Sequence, residues 1–471
     1  MQFKKAKVLD DCKHMIHAVE VMLEIAMLAL LVYAIGVWFY RDPSKASYYW
    51  RGEYILTGIY IAIISVVTSL CDGFAYGQLK LVDVFAAKII AILITNFITY
   101  FLLCLILNQM VSLLPILSCF FASVGLSFLC CLLFTKLYHS FYVPHNILLI
   151  YGKEEALDIK FKMDERHDKY AIKELLPADS DMDAIKAAIG RHDAVLINDV
   201  VDEKRNSVLK YCHEIGIRTY VVPKISDIIL EGARSVTLFD TPLKMVAPPH
   251  LSFPARFVKR AFDIILCVIA LIPCAPVMLI VALAIKLEDH GPVFYRQKRV
   301  TQGGRTFEIL KFRSMVVDAE KGGYNMSMRA SGHDSRITKV GKVIRALRID
   351  ELPQIFNILR GDMSIVGPRP ERVENVEAYS KMIPEWHLRE AVKGGLTGYA
   401  QVFGRYNTSP LDKVKMDLMY IENYSLLLDV KLILLTVRVL FSKEATEGFD
   451  ADERRKNARR ELMEKFGLKE D

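Results

Sequence analysis

"IILCVIALIPCAPVMLIVALAI", Ile264 to Ile285, runs without one charged residue and decides how the chain meets a bilayer. By length alone it is a transmembrane helix, since about 20 apolar residues cross the ~30 Å of hydrocarbon. Pro273 and Pro276 stand in its middle. Each removes a backbone donor and clashes with the preceding turn, so the sequence predicts a sharp break there. Both flanks are basic, with Arg256, Lys259 and Arg260 before the run and Lys286, Arg296, Lys298 and Arg299 after it. Positive charge at both ends leaves neither end marked for translocation. A re-entrant helix over about residues 257–288, dipping into one leaflet and returning, meets both facts and keeps the flanking sequence on one side.

Upstream, four more apolar stretches fill the front of the chain: Val21 to Tyr40, Tyr54 to Leu70, Val82 to Leu107 and Val111 to Phe134. Each is near the length of a membrane span. They account for a hydrophobic fraction of 52% and a mean hydropathy of +0.25, both high for a soluble protein. Lys4, Lys5, Lys7 and Lys13 argue for a cytoplasmic N-terminus, a signal diluted by Arg41, Lys45 and Arg51 in the first loop. An even number of spans then returns the chain to the cytoplasm. No small-residue cleavage site follows the first run, so no secretory signal is expected. The net charge of +7 suits anionic lipid or an anionic substrate better than nucleic acid. Most of the nine cysteines lie in apolar runs and none forms a Cys-x-x-Cys pair, which reads as small packed hydrophobes.

Between the apolar regions, "NILLIYG" (Asn146 to Gly152), "AVLIND" (Ala194 to Asp199) and "RTYVVP" (Arg218 to Pro223) are short buried-type strands. Helical segments such as Glu203 to Glu214 alternate with them, which predicts a small parallel α/β unit. A dinucleotide site would want Gly-x-Gly-x-x-Gly after the first strand. Here the turn reads "GKEEAL", with one glycine and two glutamates where phosphate would sit, so a structural or regulatory spacer is the better reading. The expected organisation is a four-helix transmembrane region over 1–143, a Rossmann-like α/β domain without dinucleotide over 144–250, and a mostly helical third domain over 251–471 containing the re-entrant helix. "LLLDVKLILLTVRVLF" (Leu426 to Phe441) suits a membrane surface or a core, and a charged tail follows from Ser442.

The chemistry gathers in the third domain. "ALRIDELPQIFNILRGDMSIVGPRPE" (Ala346 to Glu371) opens with adjacent acids, Asp350 and Glu351. One helical step apart, their side chains diverge by about 100° and cannot share a proton face to face, so they suit two separate jobs. Arg345 and Arg348 stand close by and are expected to keep both ionised, and an ionised carboxylate can attack phosphorus. A bland alternative is a helix start with acids against the dipole. Basic clusters surround the pair. "GPVFYRQKRV" contributes Arg299, "GGRTFEILKFRSM" predicts a hairpin turn and a strand ending in Lys311 and Arg313, Arg369 lies between Pro368 and Pro370, and "GGLTGYAQVFGR" adds Gln401 and Arg405. Fixed cations, tight glycine turns and a carboxylate for chemistry or for Mg²⁺ are what a diphosphate substrate needs.

This run of motifs, from "KRAFDIIL" through "GPVFYRQKRV", "LKFRSM", "DELPQIFNILRGDMSIVGPRPE" and "GLTGYAQV", closely resembles the bacterial sugar transferases, the polyprenyl-phosphate glycosyl-1-phosphate transferases of the monotopic superfamily. The match covers about Phe257 to Phe441, and the front half resembles the long members that start capsule or exopolysaccharide repeat units. The resemblance implies that Asp350 attacks the β-phosphate of a UDP-sugar, guessed to be glucose or galactose, and expels UMP. Undecaprenyl phosphate then accepts the sugar phosphate. It further implies Mg²⁺ as cofactor held by Asp350 and Glu351, and catalytic roles for Asp350, Glu351 and Arg345. Substrate contacts would come from Lys311, Arg313, Pro368, Arg369, Pro370, Arg299, Gln401 and Arg405. The family's helix break carries Ser-Pro, whereas this chain has Ala275-Pro276 with Pro273 in addition. Expected partners are the UDP-sugar, undecaprenyl phosphate and membrane lipid, with a homo-oligomer and polysaccharide-assembly proteins left open and no nucleic acid. The expected location is the bacterial inner membrane with the third domain on the cytoplasmic face.

Two other classes fit the residues less well. A membrane-bound nucleotide-sugar dehydratase needs the glycine-rich loop and a helical Tyr-x-x-x-Lys pair; Tyr220 and Lys224 have the spacing, but Pro223 intervenes in a strand-like segment. A non-catalytic scaffold has no use for an intact Asp-Glu pair among arginines.

Overall fold

The computed structural model describes residues 2–40, 52–141, 144–153, 158–248, 251–317, 336–404 and 408–440. Arg41, Lys45, Arg51, both glutamates of the "GKEEAL" turn, Arg405 and the tail from Ser442 lie outside them. The chain divides into two compact units, the first ending at Val222 and the second beginning at Pro223.

The first unit opens with α1 (Gln2–Tyr40), α2 (Gly52–Leu70), α3 (Leu81–Leu107) and α4 (Leu113–Phe141). Each packs on two neighbours, α1 on α2 and α4, α3 on α2 and α4, which makes a closed four-helix ring. Its side-chain pattern is inverted relative to a soluble bundle. Large apolar groups such as Phe97, Phe101, Phe121 and Leu133 face outward, while Glu24, Lys88, Thr95, Asn96 and Ser127 are buried inside. Lipid takes the outer face and the polar groups pair within. Lys88 binds Glu24 and Tyr76 there. Met15–Gly36, Leu81–Leu107 and Leu113–Ser140 are each long and apolar enough to span a membrane, and Tyr54–Leu70 is a shorter apolar helix in the same ring. The described cysteines are free thiols, most of them buried as small apolar groups.

Beyond the ring, β1 (His145–Tyr151), α5 (Asp158–Asp164), β2 (Tyr170–Pro177), α6 (Met182–Ile189), β3 (Ala194–Asn198), α7 (Asp202–Ile215) and β4 (Arg218–Val221) form the expected α/β layer. Its sheet is parallel throughout, in the order β2-β1-β3-β4. The two central strands, β1 and β3, carry continuous apolar runs because both of their faces are covered. On one face Leu148, Ile150, Val195 and Ile197 pack with residues of α6 and α7. On the other, Ile147, Leu149 and Leu196 pack with Ile159 and Met163 of α5. Gly152 explains the lone glycine of the "GKEEAL" turn. A Cβ there would stand 1.8 Å from the Asp199 carbonyl oxygen, so the glycine serves a close backbone approach between strand ends.

The second unit begins with α8 (Ile225–Glu231) and a hairpin of β5 (Arg234–Leu238) and β6 (Thr241–Met245). The long helix α9 (Phe253–Asp289) follows, capped by the Ser252 hydroxyl, which accepts from the Ala255 N–H. The break expected at Pro273 and Pro276 does not interrupt the helix, and helical backbone runs through both. The carbonyls that those prolines leave without their usual donor, four residues back, belong to Ile269 and Ile272, on the exposed apolar face. Lys259, Asp263, Cys267, Met278, Val281 and Ile285 form one buried stripe along the opposite face, with Leu271 and Cys274 partly buried between them. Packing along that stripe holds the helix together past the prolines. Both ends are tied into this same unit. Near the start, Lys259 pairs with Asp429 and Arg260 donates to the Ile358 and Leu359 carbonyls; at the end, Asp289 pairs with Arg313 and Glu288 accepts from the Lys339 N–H.

After α9 come β7 (Phe294–Val300) and β8 (Thr306–Phe312), paired as the predicted antiparallel hairpin. Its turn uses Gly303 and Gly304 at positive φ, which a glycine adopts freely. Then follow α10 (Lys339–Ala346), a 3₁₀ turn at Ile349–Glu351, α11 (Gln354–Arg360), β9 (Ser364–Val366), α12 (Val373–Met382), a 3₁₀ stretch at Pro384–Ala391, β10 (Gly395–Thr397), α13 (Tyr399–Phe403), α14 (Pro410–Glu422) and α15 (Leu426–Leu440). Trp386, Tyr420, Val414, Leu432 and Leu435 are the core, and Ile228 of α8 is buried among them. α15 therefore belongs to a core, one of the two settings its sequence allowed.

The seat of Ile228 makes a prediction about truncation. A fragment starting near residue 223 keeps α8 on α14. One starting at 251 strips a fully buried isoleucine from the core and should lose about 3 kcal/mol. Thermal unfolding of the two fragments in detergent checks this; equal midpoints would contradict it.

Candidate active site

Three segments distant in sequence converge on Glu351. Its Oε1 accepts from Lys311 Nζ at 2.7 Å and from Arg369 Nη2 at 3.0 Å. Lys311 is brought there by β8, whose backbone is pinned to α11 by Asn357: the amide donates to the Glu308 carbonyl and accepts from the Leu310 N–H. β9 leads into the Pro368-Arg369-Pro370 corner, and Asp263 of α9 holds β9 by accepting from Ser364 Oγ and the Ile365 N–H. Arg369 is fixed from behind, since its own carbonyl accepts from Arg389 Nη2 at 3.0 Å. Arg389 is itself buried against Asp417 and stacked over Trp386.

Asp350 and Glu351 occupy the Ile349–Glu351 turn, reached from α10 through Arg348 in the left-handed region at φ 54°. That conformation is uncommon for a residue with a Cβ and often marks functional turns. The two acids are treated differently, as their divergence predicted. Burial opposes ionisation of Glu351, but the charges of Arg369 and Lys311 outweigh it and hold its carboxyl well below the usual range. Asp350, half-buried, accepts no hydrogen bond among the described residues. Burial pushes its carboxyl up, against the pull of Lys311, Arg345 and Arg348. Glu351 is held ionised by Lys311 and Arg369, not by the expected Arg345 and Arg348, and at Asp350 both arginines favour the charged form as expected while burial raises the carboxyl against them.

The remaining sequence candidates divide. Burial moves the Lys311 ammonium down, with Glu351 pulling the other way. Arg369 keeps 39% of its side-chain exposure, enough to meet a ligand while paired. Arg299 is largely buried, its guanidinium lowered to about 10 by burial and by the charge of Arg369, and it donates to the Pro370 carbonyl at 3.1 Å. It braces the corner from below. Arg313 lies elsewhere: it makes a two-point ion pair with Asp289 and donates to the Pro292 carbonyl, closing the end of α9. Gln401 donates to the Leu396 carbonyl, and its buried Oε1 has no partner among the described residues. Gly395 and Gly398 allow the backbone to pass against Gly367, since a Cβ on either would stand 2.1 Å from a Gly367 backbone atom.

Asp263, Asn357 and Arg389 are not singled out by the sequence. Each acts by tying one element to another, and only Asp263, an acid at the edge of an apolar helix, carries a readable signal. A small cleft beside the site is lined by Thr301, Arg369, Glu371, Arg389, Glu390 and Gly394 among others. No group of three His, Cys, Asp or Glu side chains suited to a metal occurs among the described residues.

This site lies within a region of recognisable ancestry. The sequence pattern of bacterial sugar transferases matches residues 254–443. The UDP-N-acetylgalactosamine-undecaprenyl-phosphate N-acetylgalactosaminephosphotransferase of Aeromonas hydrophila is 40% identical over 258 residues, covering 54% of this chain and 60% of that protein. The UDP-glucose:undecaprenyl-phosphate glucose-1-phosphate transferase of Escherichia coli (strain K12) is 38% identical over 263 residues, 52% of this chain and 54% of that one. The exopolysaccharide production protein ExoY of Sinorhizobium fredii is 38% identical over 191 residues, which span 38% of this chain and 83% of that protein. The chain thus spans little more than half the length of the first two relatives.

Proposed function

The chain belongs to the bacterial sugar transferase family, and on that premise we propose that it moves a sugar 1-phosphate from a UDP-sugar onto undecaprenyl phosphate, with Asp350 as the nucleophile. The observation that carries this reading is the contrast between neighbours. Glu351 is locked ionised between Lys311 and Arg369, while the Asp350 carboxylate beside it has no hydrogen-bond partner among the described residues to give up before it attacks.

In the first step an Asp350 oxygen bonds to the sugar-bearing phosphorus. The bond from that phosphorus to the bridging oxygen breaks, and UMP leaves with the electron pair. In the second, an oxygen of undecaprenyl phosphate bonds to the same phosphorus and the Asp350 carboxylate departs. UDP-sugar and undecaprenyl phosphate therefore need not occupy the site together, and UMP can leave before the acceptor phosphate arrives. Lys311 and Arg369, fixed before substrate arrives, stabilise charge on the transferring phosphoryl group, and Arg345 adds positive charge toward Asp350. Mg²⁺ fits this donor set. It binds through one or two carboxylates plus substrate phosphates; Asp350 would offer its carboxylate, and Glu351 the oxygen that Lys311 and Arg369 leave free. When bound, such an ion would neutralise diphosphate charge.

The acceptor is a lipid, and α9 supports a site at headgroup height. A helix that crosses a bilayer leaves its ends on opposite sides, whereas both ends of α9 attach to one unit and its outer face is apolar. We read it as held within one leaflet without crossing, its continuous outer apolar face in the hydrocarbon, and the basic N-terminus supports the cytoplasmic side of the inner membrane for that leaflet. Capsule or exopolysaccharide assembly is the process such a lipid diphosphate sugar would start.

Two measurements test this reading. A panel of UDP-glucose, UDP-galactose and UDP-N-acetylgalactosamine, each with undecaprenyl phosphate, is scored for UMP. Release of UDP instead of UMP would end the proposal. The pH profile adds a second check. A carboxyl held above its ordinary value is ionised only above that raised pKa, and the nucleophile is lost as pH falls through it. The acid limb of kcat/KM for UMP release should accordingly lie above the ordinary aspartate value of about 3.9. A limb at or below that value would contradict the role.

A further inference from the structure

The four-helix ring of the first unit contains a cavity of about 60 Å³ lined by Val32, Tyr33, Leu56, Tyr60, Asn96 and Thr99 among others. Its walls are almost wholly apolar, and no charged side chain lines it. Three buried polar atoms there make no well-formed hydrogen bond among the described residues: Tyr60 Oη, which lies near Asn96, Ser123 and Cys119, Asn96 Oδ1 and Thr99 Oγ1. Their residues are 1%, 3% and 6% exposed. Asn96 has already given its amide N–H to the Ile92 carbonyl, and its orphaned oxygen can only accept. Unpaired polar groups are costly in a membrane interior and rare without a use. These three come from α2 and α3 and share one cavity.

The residues that line it come from the C-terminal part of α1, the N-terminal part of α2, the C-terminal part of α3 and the start of α4. In an alternating ring these segments lie at one end, and β1 follows from the other end of α4. The buried Glu24, Lys88 and Tyr76 group belongs to the opposite half and does not reach the cavity lining.

We propose that this cavity takes the hydroxyl end of a neutral amphiphile, a long hydrocarbon whose hydroxyl donates to Asn96 Oδ1 and is met by the Tyr60 and Thr99 hydroxyls. At about 60 Å³ it holds the hydroxyl and its first carbons, and the rest of the chain stays among the lipid around the ring. The lack of any lining cation excludes a phosphate or carboxylate head, and the acceptor at Asn96 calls for a donor. A lipid hydroxyl of the diacylglycerol kind and a polyprenol share this chemistry.

The test uses the full chain in nanodiscs and a long-chain primary alcohol bearing a diazirine. Photolabelling should be saturable and should map to the α2 and α3 peptides that contain Tyr60, Asn96 and Thr99. The unlabelled alcohol should compete at least about tenfold better than an alkane of equal length. Diacylglycerol and polyprenol as competitors identify the source. The triple variant Tyr60→Phe, Asn96→Leu, Thr99→Val should lose the labelling yet unfold at a higher temperature than the parent, because it removes three unpaired polar atoms. The single variant Thr99→Val, a near-isosteric change, keeps the test valid if the triple variant folds poorly, and it should weaken labelling in the same direction. Equal competition by the alkane, labelling spread over all four helices, or no saturable labelling because the cavity holds only water would each overturn the proposal.

Discussion

Replacing Asp350 by Asn should lower UMP release by about four orders of magnitude or more, and should at the same time raise the thermal midpoint of the protein. The first effect follows from losing the proposed nucleophile. The second follows from the setting of Asp350, a half-buried carboxylate whose burial disfavours its charge and which no described neighbour hydrogen-bonds. A group whose pKa is raised on folding costs stability at neutral pH, where it is charged in both states. Asn keeps the shape and removes that cost, so a gain of about 1 kcal/mol is expected. Activity assays and thermal unfolding on the same preparation check both signs. An Asn variant that stays active removes Asp350 from the chemistry, and one that is inactive because it unfolds earlier removes the argument about its environment.

The neighbouring substitution should behave in the opposite way. Glu351→Gln leaves Lys311 and Arg369 without the carboxylate that both contact. Removing one partner from a largely buried charge cluster strands the others, at a cost of about 2–3 kcal/mol after allowance for the partial exposure of Arg369. In the proposed reaction Lys311 and Arg369 are the two cations that meet the phosphoryl group, and their displacement should lower kcat/KM by about a hundredfold or more. Adjacent residues in one 3₁₀ turn would then give one variant that is more stable and inactive, and one that is less stable and weakened. If Glu351→Gln unfolds at the parental temperature, the ion-pair cluster is not what holds the three segments together.

These opposite roles were half legible in the sequence. Adjacent acids one helical step apart announce two jobs, but which acid takes which depends on Lys311 and Arg369, and those lie forty residues before and eighteen after Glu351. Arg313 shows the same limit. Two residues from Lys311, it looks like a second phosphate ligand, yet the chain beyond β8 carries it to a different neighbour, and Arg313 closes the end of α9 on Asp289. Glycines in "GGLTG" read as a ligand cradle, while their packing against Gly367 shows that they let two backbones approach. The β7–β8 hairpin and the parallel strands were readable because turn glycines and apolar runs are local signals. The tie between α8 and α14 was not, since it depends on Ile228 meeting residues nearly two hundred positions later. Helix α9 shows both sides: its apolar run and basic flanks are visible in sequence, and the continuous buried stripe that passes both prolines is visible only once Cys267, Cys274 and Met278 meet their partners.

The proposed reaction turns on a covalent bond between Asp350 and the phosphorus of the sugar phosphate. Mixing the enzyme with UDP-sugar alone, quenching within one turnover and sequencing the peptides by mass spectrometry tests it most directly. The expected result is one sugar phosphate on the peptide that contains Asp350, with UMP released in equal amount before any acceptor lipid is added. An unmodified peptide, together with UMP that appears only once undecaprenyl phosphate is present, would contradict it.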